Sequence, residues 1–132
     1  MKKFIIITVV IIAGLAGLLL IAPHDDEANQ TPQRTFSSVQ ADVKNGAVLY
    51  DVRTPEEYAS GHFASAANFS LQQMQAGQLP SVSKDTKIYV YCHSGNRSSQ
   101  ATAILQNAGY TNVVDLGGLS SVESIGGTLT KS

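Results

Sequence analysis

The stretch YVYCHSGNRSSQATAILQNAGY, residues 89 to 110, changes its pattern halfway along. Up to Cys92 it continues a run of β-branched and aromatic residues that begins at Lys87, and this predicts a strand over 87–92. After HSGNR, the residues Ala101, Ile104, Leu105 and Ala108 fall at i, i+3, i+4 and i+7, an apolar helix stripe that ends at Gly109. A strand, a short loop and a helix make a βα unit. The only cysteine of the 132-residue chain stands at the junction.

The pattern repeats on both sides. Upstream, AVLYDV (47–52) is an almost continuous apolar run between Gly46 and a Thr-Pro pair, as expected of a strand covered on both faces. Before it, Ser37 or Ser38 is placed to cap a short helix through Lys44. After it, Thr54 is an N-cap with Pro55 at the first helical position and two acids in the first turn. ANF (67–69) predicts a short strand, Ser70 starts a helix over LQQMQAG, NVVDL (112–116) predicts a last strand, and GGLSSVESIGG a turn with a short helix. Strands separated by helices predict an α/β fold with a mainly parallel sheet and helices on both faces. Ligands of such folds bind beyond the carboxyl ends of the strands. Cys92 sits at one of those ends.

The N-terminus has a different composition. Residues 4–22 carry no charge, follow Lys2 and Lys3, and precede the polar PHDDEANQTPQ. As a helix, this run reaches roughly 28 Å, close to the ~30 Å hydrocarbon core. It predicts a membrane anchor with the rest of the chain outside, or a signal segment cleaved to leave the domain in the periplasm. We read 1–22 as this segment, 23–35 as a flexible tether, and 36–132 as the folded domain, facing the periplasm or exterior. Setting Lys2 and Lys3 aside from the nine basic residues leaves seven against ten acidic, about −3. With no basic stripe, nucleic acid is excluded as a partner.

A lone cysteine in an exported domain has no partner for an intramolecular disulfide. As a small core hydrophobe it would need no special loop. The HSGNR loop is special: Gly95 can adopt positive φ, successive backbone N–H groups can converge at the helix N-terminus, and Arg97 adds a planar cation. A thiol facing that pole has a lowered pKa and reacts as the thiolate. Cys92 is therefore the expected nucleophile, in a surface pocket. His24, His62 and His93 lack zinc-like spacing, and no metal is expected.

Three segments, DVRTPEEYASGHFASAANFSL, YCHSGNRSSQATAILQNAGYTNV and LGGLSS, resemble in order and spacing the rhodanese-like sulfurtransferases over roughly 37–127. The resemblance implies a rhodanese-like three-layer α/β domain needing no cofactor. Its cysteine takes sulfane sulfur from thiosulfate or a similar donor, holds it as a persulfide, and yields it to cyanide or a thiol. It implies that Cys92 is catalytic and that His93, Ser94, Gly95, Asn96, Arg97 and Ser98 bind substrate, with Arg97 on the anionic donor. Asp51, Arg53, Glu57 and His62 are then mostly scaffold, Asp51 and Arg53 forming a charge pair near the loop.

Three positions depart from the family pattern: His93 stands where arginine is frequent, Ser65 where glycine is usual, and Val122 where a tryptophan is. Two other functions fit the same thiolate. One is an anchored persulfide carrier or redox-sensing docking module. The other is a cysteine-dependent phosphatase or arsenate reductase, whose loop is commonly one residue longer than the four between Cys92 and Arg97.

Overall fold

The computed structural model describes residues 32–131. The apolar segment 4–22 and most of the expected tether lie outside the described residues. No helix among those described is long and apolar enough to cross a membrane.

Chain order is α1 (Phe36–Lys44), β1 (Val48–Asp51), α2 (Pro55–Ser60), β2 (His62–Phe63), β3 (Ala66–Asn68), α3 (Leu71–Gln75), β4 (Ile88–Tyr91), α4 (Asn96–Asn107), β5 (Val113–Gly117), α5 (Leu119–Ser124) and β6 (Leu129–Thr130). Four strands form one sheet in the order β3-β1-β4-β5, every pair parallel. β2 and β6 pair antiparallel as a separate ribbon, which strands of two residues are too short to announce in sequence.

Three helices begin as capping boxes. Thr35, Thr54 and Ser70 each accept from the backbone N–H three residues on, and the side chain there returns a bond to the cap. Each such cap stabilises its helix by about 1 kcal/mol. The first cap is Thr35, not Ser37 or Ser38. Ser38 instead occupies the third helical position, where its hydroxyl donates back to the Thr35 carbonyl at 2.7 Å.

Strand alternation divides the core in two. Ile88, Val90 and Cys92 point to one face, with Val52, Leu71, Met74, Ala101, Leu105 and Tyr110 from the side of α3 and α4. Tyr89 and Tyr91 point to the other, with Phe36, Val39, Leu49, Phe63, Leu116 and Val122 from the side of α1 and α5. β4 is thus buried on both faces along its whole length, which explains its unbroken apolar sequence.

Two departures from the family pattern take on physical meaning. Val122 is fully buried, and a Cβ on Gly127 would lie 2.8 Å from its Cγ1 and 3.0 Å from the Phe63 ring. Phe63 and the Gly127 backbone fill this space, and a wider side chain at 122 has none. Ser65 is exposed and holds φ at +68°, a region that costs most L-residues roughly 1–2 kcal/mol. Ser65→Gly relieves this and adds unfolded-chain entropy, for an expected net gain of about 0.5–1 kcal/mol. Thermal unfolding should then move up by a few degrees; a fall would show that the serine side chain supplies more than it strains.

Candidate active site

The polypeptide leaves β4 at Tyr91 and turns at once into the cysteine loop. Gly95 is the N-cap of α4 at φ +97°, with no side-chain cap bond. That left-handed turn is cheap only for glycine, and it aims backbone N–H groups inward, as the sequence predicts. The Gly95 N–H donates to Cys92 Sγ at 3.0 Å. Ser98 Oγ lies 3.6 Å from the sulfur and donates to the Gly95 carbonyl at 3.1 Å. Its one proton can serve that carbonyl or, once Cys92 is ionised, the thiolate. Burial pushes the Cys92 thiol up, but the Ser98 hydroxyl and the N–H groups of Ser98, Gly95 and Ser94 outweigh it, so the net shift is downward. The thiolate is favoured relative to a free thiol.

The pocket differs from expectation in one respect. Cys92 has no exposed surface at all, and its sulfur packs into the core face shared with Val52 and Ala101. The most exposed parts of the loop are His93, Ser94 and Asn96, with Gly95 and Arg97 partly exposed. Because strand alternation turns Cys92 inward, the loop closes over the sulfur rather than displaying it. A molecule that reaches the sulfur must displace part of this cover.

The loop is braced from β5. Cys92 N–H donates to the Gly117 carbonyl and Leu119 N–H to the His93 carbonyl, each at 3.0 Å. Ser94 bridges Gly118. A Cβ on Gly118 would lie 2.6 Å from the His93 carbonyl oxygen, a contact that real side chains do not make. The LGGLSS motif therefore supplies backbone in contact with backbone, a support that residue types alone do not disclose.

Below the loop lies a buried ion pair. Asp51, fully buried, accepts from Arg53 Nη2 at 2.6 Å, from Arg53 Nε at 3.0 Å, from the Arg53 backbone N–H at 2.9 Å and from the Tyr91 hydroxyl at 2.8 Å. Arg53 Nη2 also donates to the Gly61 carbonyl at 2.6 Å. Burial works against the Arg53 charge, yet its bonds to Asp51 prevail and raise its pKa. Burial likewise raises the Tyr91 hydroxyl above the usual tyrosine range, so it stays a donor. The network ties the ends of β1 and β4 together and acts as scaffold for Cys92.

The other candidates separate. Asn96 accepts from the Gln100 side chain at 3.1 Å. His62 stacks on Tyr58 with ring centroids 3.8 Å apart, and its Nδ1 lies 3.0 Å from the Tyr58 carbonyl, so its partners belong to α2 rather than to the loop. Arg97 is joined to Glu57 through two bonds, Nη1 to Oε1 at 2.6 Å and Nη2 to Oε2 at 2.9 Å. Glu57 lies forty residues away in sequence, and only its role as the third residue of α2 is legible there. An open cleft of about 390 Å³ occurs at the opposite, amino end of the sheet, beside Asp42, Gly46, Asp85 and Lys87. It is remote from the thiol, and its Asp42 is already joined to Lys87 at 2.7 Å.

A thiolate held by amides at the head of a helix, on the carboxyl edge of a parallel sheet, is a site for nucleophilic chemistry on a small electrophile. Comparison with known proteins shows what the chain resembles. The chain is similar to the thiosulfate sulfurtransferase PspE of Escherichia coli (strain K12), with 38% identity over 73 residues covering 54% of this chain and 70% of that protein. Among solved structures it resembles the Alr3790 protein from Anabaena sp., at a TM-score of 0.63 and 26% identity, covering 74% of this chain and 91% of that one. It also resembles a rhodanese with anions from E. coli, at a TM-score of 0.54 and 35% identity, covering 65% and 99% respectively. The rhodanese-like domain profile matches residues 35–124, from the Thr35 cap through the cysteine loop to the end of α5. With the βα order, the cysteine loop and its glycine brace all inside that match, the chain belongs to the rhodanese-like domain family.

Proposed function

We propose that this chain is a sulfurtransferase that moves sulfane sulfur through a persulfide on Cys92. The observation that carries the proposal is the Gly95 N–H directed at Sγ at 3.0 Å in a loop that favours the thiolate. In the first step the Cys92 thiolate attacks the outer sulfur of the donor. With thiosulfate, the donor S–S bond breaks, its electron pair departs on sulfite, and Cys92 keeps one added sulfur. In the second step cyanide or a thiolate attacks that outer sulfur and the electron pair returns to Cys92. No proton donor is needed for sulfite to leave, which accords with a sulfur whose partners are backbone amides and the Ser98 hydroxyl. The amides of Ser94, Gly95 and Ser98 suit negative charge on either sulfur.

Intact mass of the reduced full-length chain after incubation with thiosulfate tests this. A gain of about 32 Da, removed by cyanide with release of thiocyanate, is expected for one bound sulfur. Folded, reduced protein that gains no mass from thiosulfate or from an organic persulfide would overturn the proposal.

A further inference from the structure

The cation of the cysteine loop is already engaged. Arg97 is the only basic side chain between Cys92 and Ser98, leaving histidine aside, and Glu57 holds it at two points, 2.6 and 2.9 Å. Glu57 is itself fixed from a second side, because its Oε1 accepts from the Thr54 N–H at 3.4 Å and from the Thr54 hydroxyl at 3.3 Å. The pair is only partly exposed, 28% for Arg97 and 34% for Glu57, so it is neither buried scaffold nor a loose surface contact. The Arg97 guanidinium chiefly, with help from Thr54, holds the Glu57 carboxyl down at about 2, so Glu57 is charged wherever the Cys92 thiolate exists. Arg97 also feels the charges of Cys92 and Asp51, which places it in the field of the reacting sulfur. The neighbouring guanidinium, Arg53, is taken by Asp51 and the Gly61 carbonyl.

Arg53 cancels Asp51 and Arg97 cancels Glu57, so the Cys92 thiolate leaves the site with one net negative charge. A donor carrying two negative charges meets repulsion where a free arginine would offer attraction. We propose that Glu57 is a specificity-determining residue that, by neutralising Arg97, sets the loop against small dianionic donors and in favour of sulfane sulfur carried on an uncharged or singly charged organic persulfide. This rests on the Cys92 sulfur transfer proposed above and names its donor class. The step balances without an oxidant. The thiolate attacks the outer sulfur of R–S–SH, the S–S bond breaks, its electron pair departs on R–S⁻, and Cys92 retains –S–SH.

The test is single-turnover loading of Cys92 in the full-length protein, followed by intact mass. Two donors are compared: thiosulfate, and the persulfide of 2-mercaptoethanol, released from its trisulfide by one equivalent of 2-mercaptoethanol, which leaves as the disulfide. For the wild type, thiosulfate loading accelerates as potassium chloride is added, because screening relieves repulsion, while loading from the persulfide, which carries at most one negative charge, changes much less. Thiosulfate loading that slows with salt would overturn the proposal. Glu57→Gln retains the α2 capping box and frees the Arg97 charge. It should lower the half-saturating thiosulfate concentration about tenfold, with a smaller change in maximal rate, and raise the thiosulfate-to-persulfide loading ratio by a similar factor. An unchanged ratio in folded Glu57→Gln would overturn the proposal, and so would an equal gain in an Arg97→Ala background, where most of the effect should vanish. If the wild type acquires no sulfur from either donor, the sulfur-transfer proposal itself fails, a result separate from any change in ratio.

Discussion

Cys92→Ser is expected to lose sulfur transfer completely and to keep its fold. A serine hydroxyl is not ionised near neutral pH and does not hold a labile sulfane sulfur, so neither step has a nucleophile. The structural cost is small because the polar contacts remain available. The Gly95 N–H that donates to Sγ can donate to a hydroxyl, and Ser98 Oγ lies beside it. Since the residue is fully buried, the shorter C–O bond leaves a slight packing defect, expected to cost about 1 kcal/mol. Thiocyanate production should fall to the rate without protein, while circular dichroism and thermal unfolding stay close to wild type. Turnover above a few per cent of wild type in folded Cys92→Ser would require another nucleophile.

Asp51→Ala is expected to produce the largest loss of stability. Asp51 has no exposed surface and Arg53 is 4% exposed, and removal of the carboxylate leaves the guanidinium with the Gly61 carbonyl as its remaining partner. The Tyr91 hydroxyl loses its acceptor as well. Breaking a buried pair from one side costs about 3–5 kcal/mol, against a total of about 5–15 kcal/mol for a domain. A midpoint at least about 12 °C lower follows for a domain of this size. Replacing both partners with apolar residues, Asp51→Leu with Arg53→Met, should recover much of the loss, because no unpaired charge is then buried. Thermal denaturation of the three proteins checks this. A single-variant shift below about 4 °C, the equivalent of roughly 1 kcal/mol, would show that solvent reaches Arg53 and that the network is not a buried support.

The layout of the fold was legible where one local rule dominates. Thr54 with Pro55, and Ser70 ahead of Leu71, mark helix starts that the structure shows. The stripe Ala101, Ile104 and Leu105 is the inward side of α4, with Ala108 at its C-cap and Ala101 and Leu105 fully buried. Ser37 and Ser38 misled because three hydroxyl residues compete for one cap, and the winner, Thr35, is decided by the reciprocal bonds with Ser38. The Asp51–Arg53 pair was accessible because residues two apart near a strand end share a side of the chain. Glu57 with Arg97 was not, because their meeting requires α2 and the head of α4 to be adjacent, which only the assembled sheet determines. The burial of Cys92 was missed for a related reason: the loop motif points to a reactive thiol, but whether the loop displays or covers the sulfur depends on which side of β4 it leaves.

That cover bears on whether two copies of the chain can join through their thiols. A disulfide between two copies of the chain would have to bring two sulfurs to within about 2.05 Å of one another, yet neither sulfur presents any surface to the other. Bulky reagents meet the same obstacle, since the sulfur is buried. Burial of this kind sets the single cysteine of each chain apart from its counterpart in a second copy.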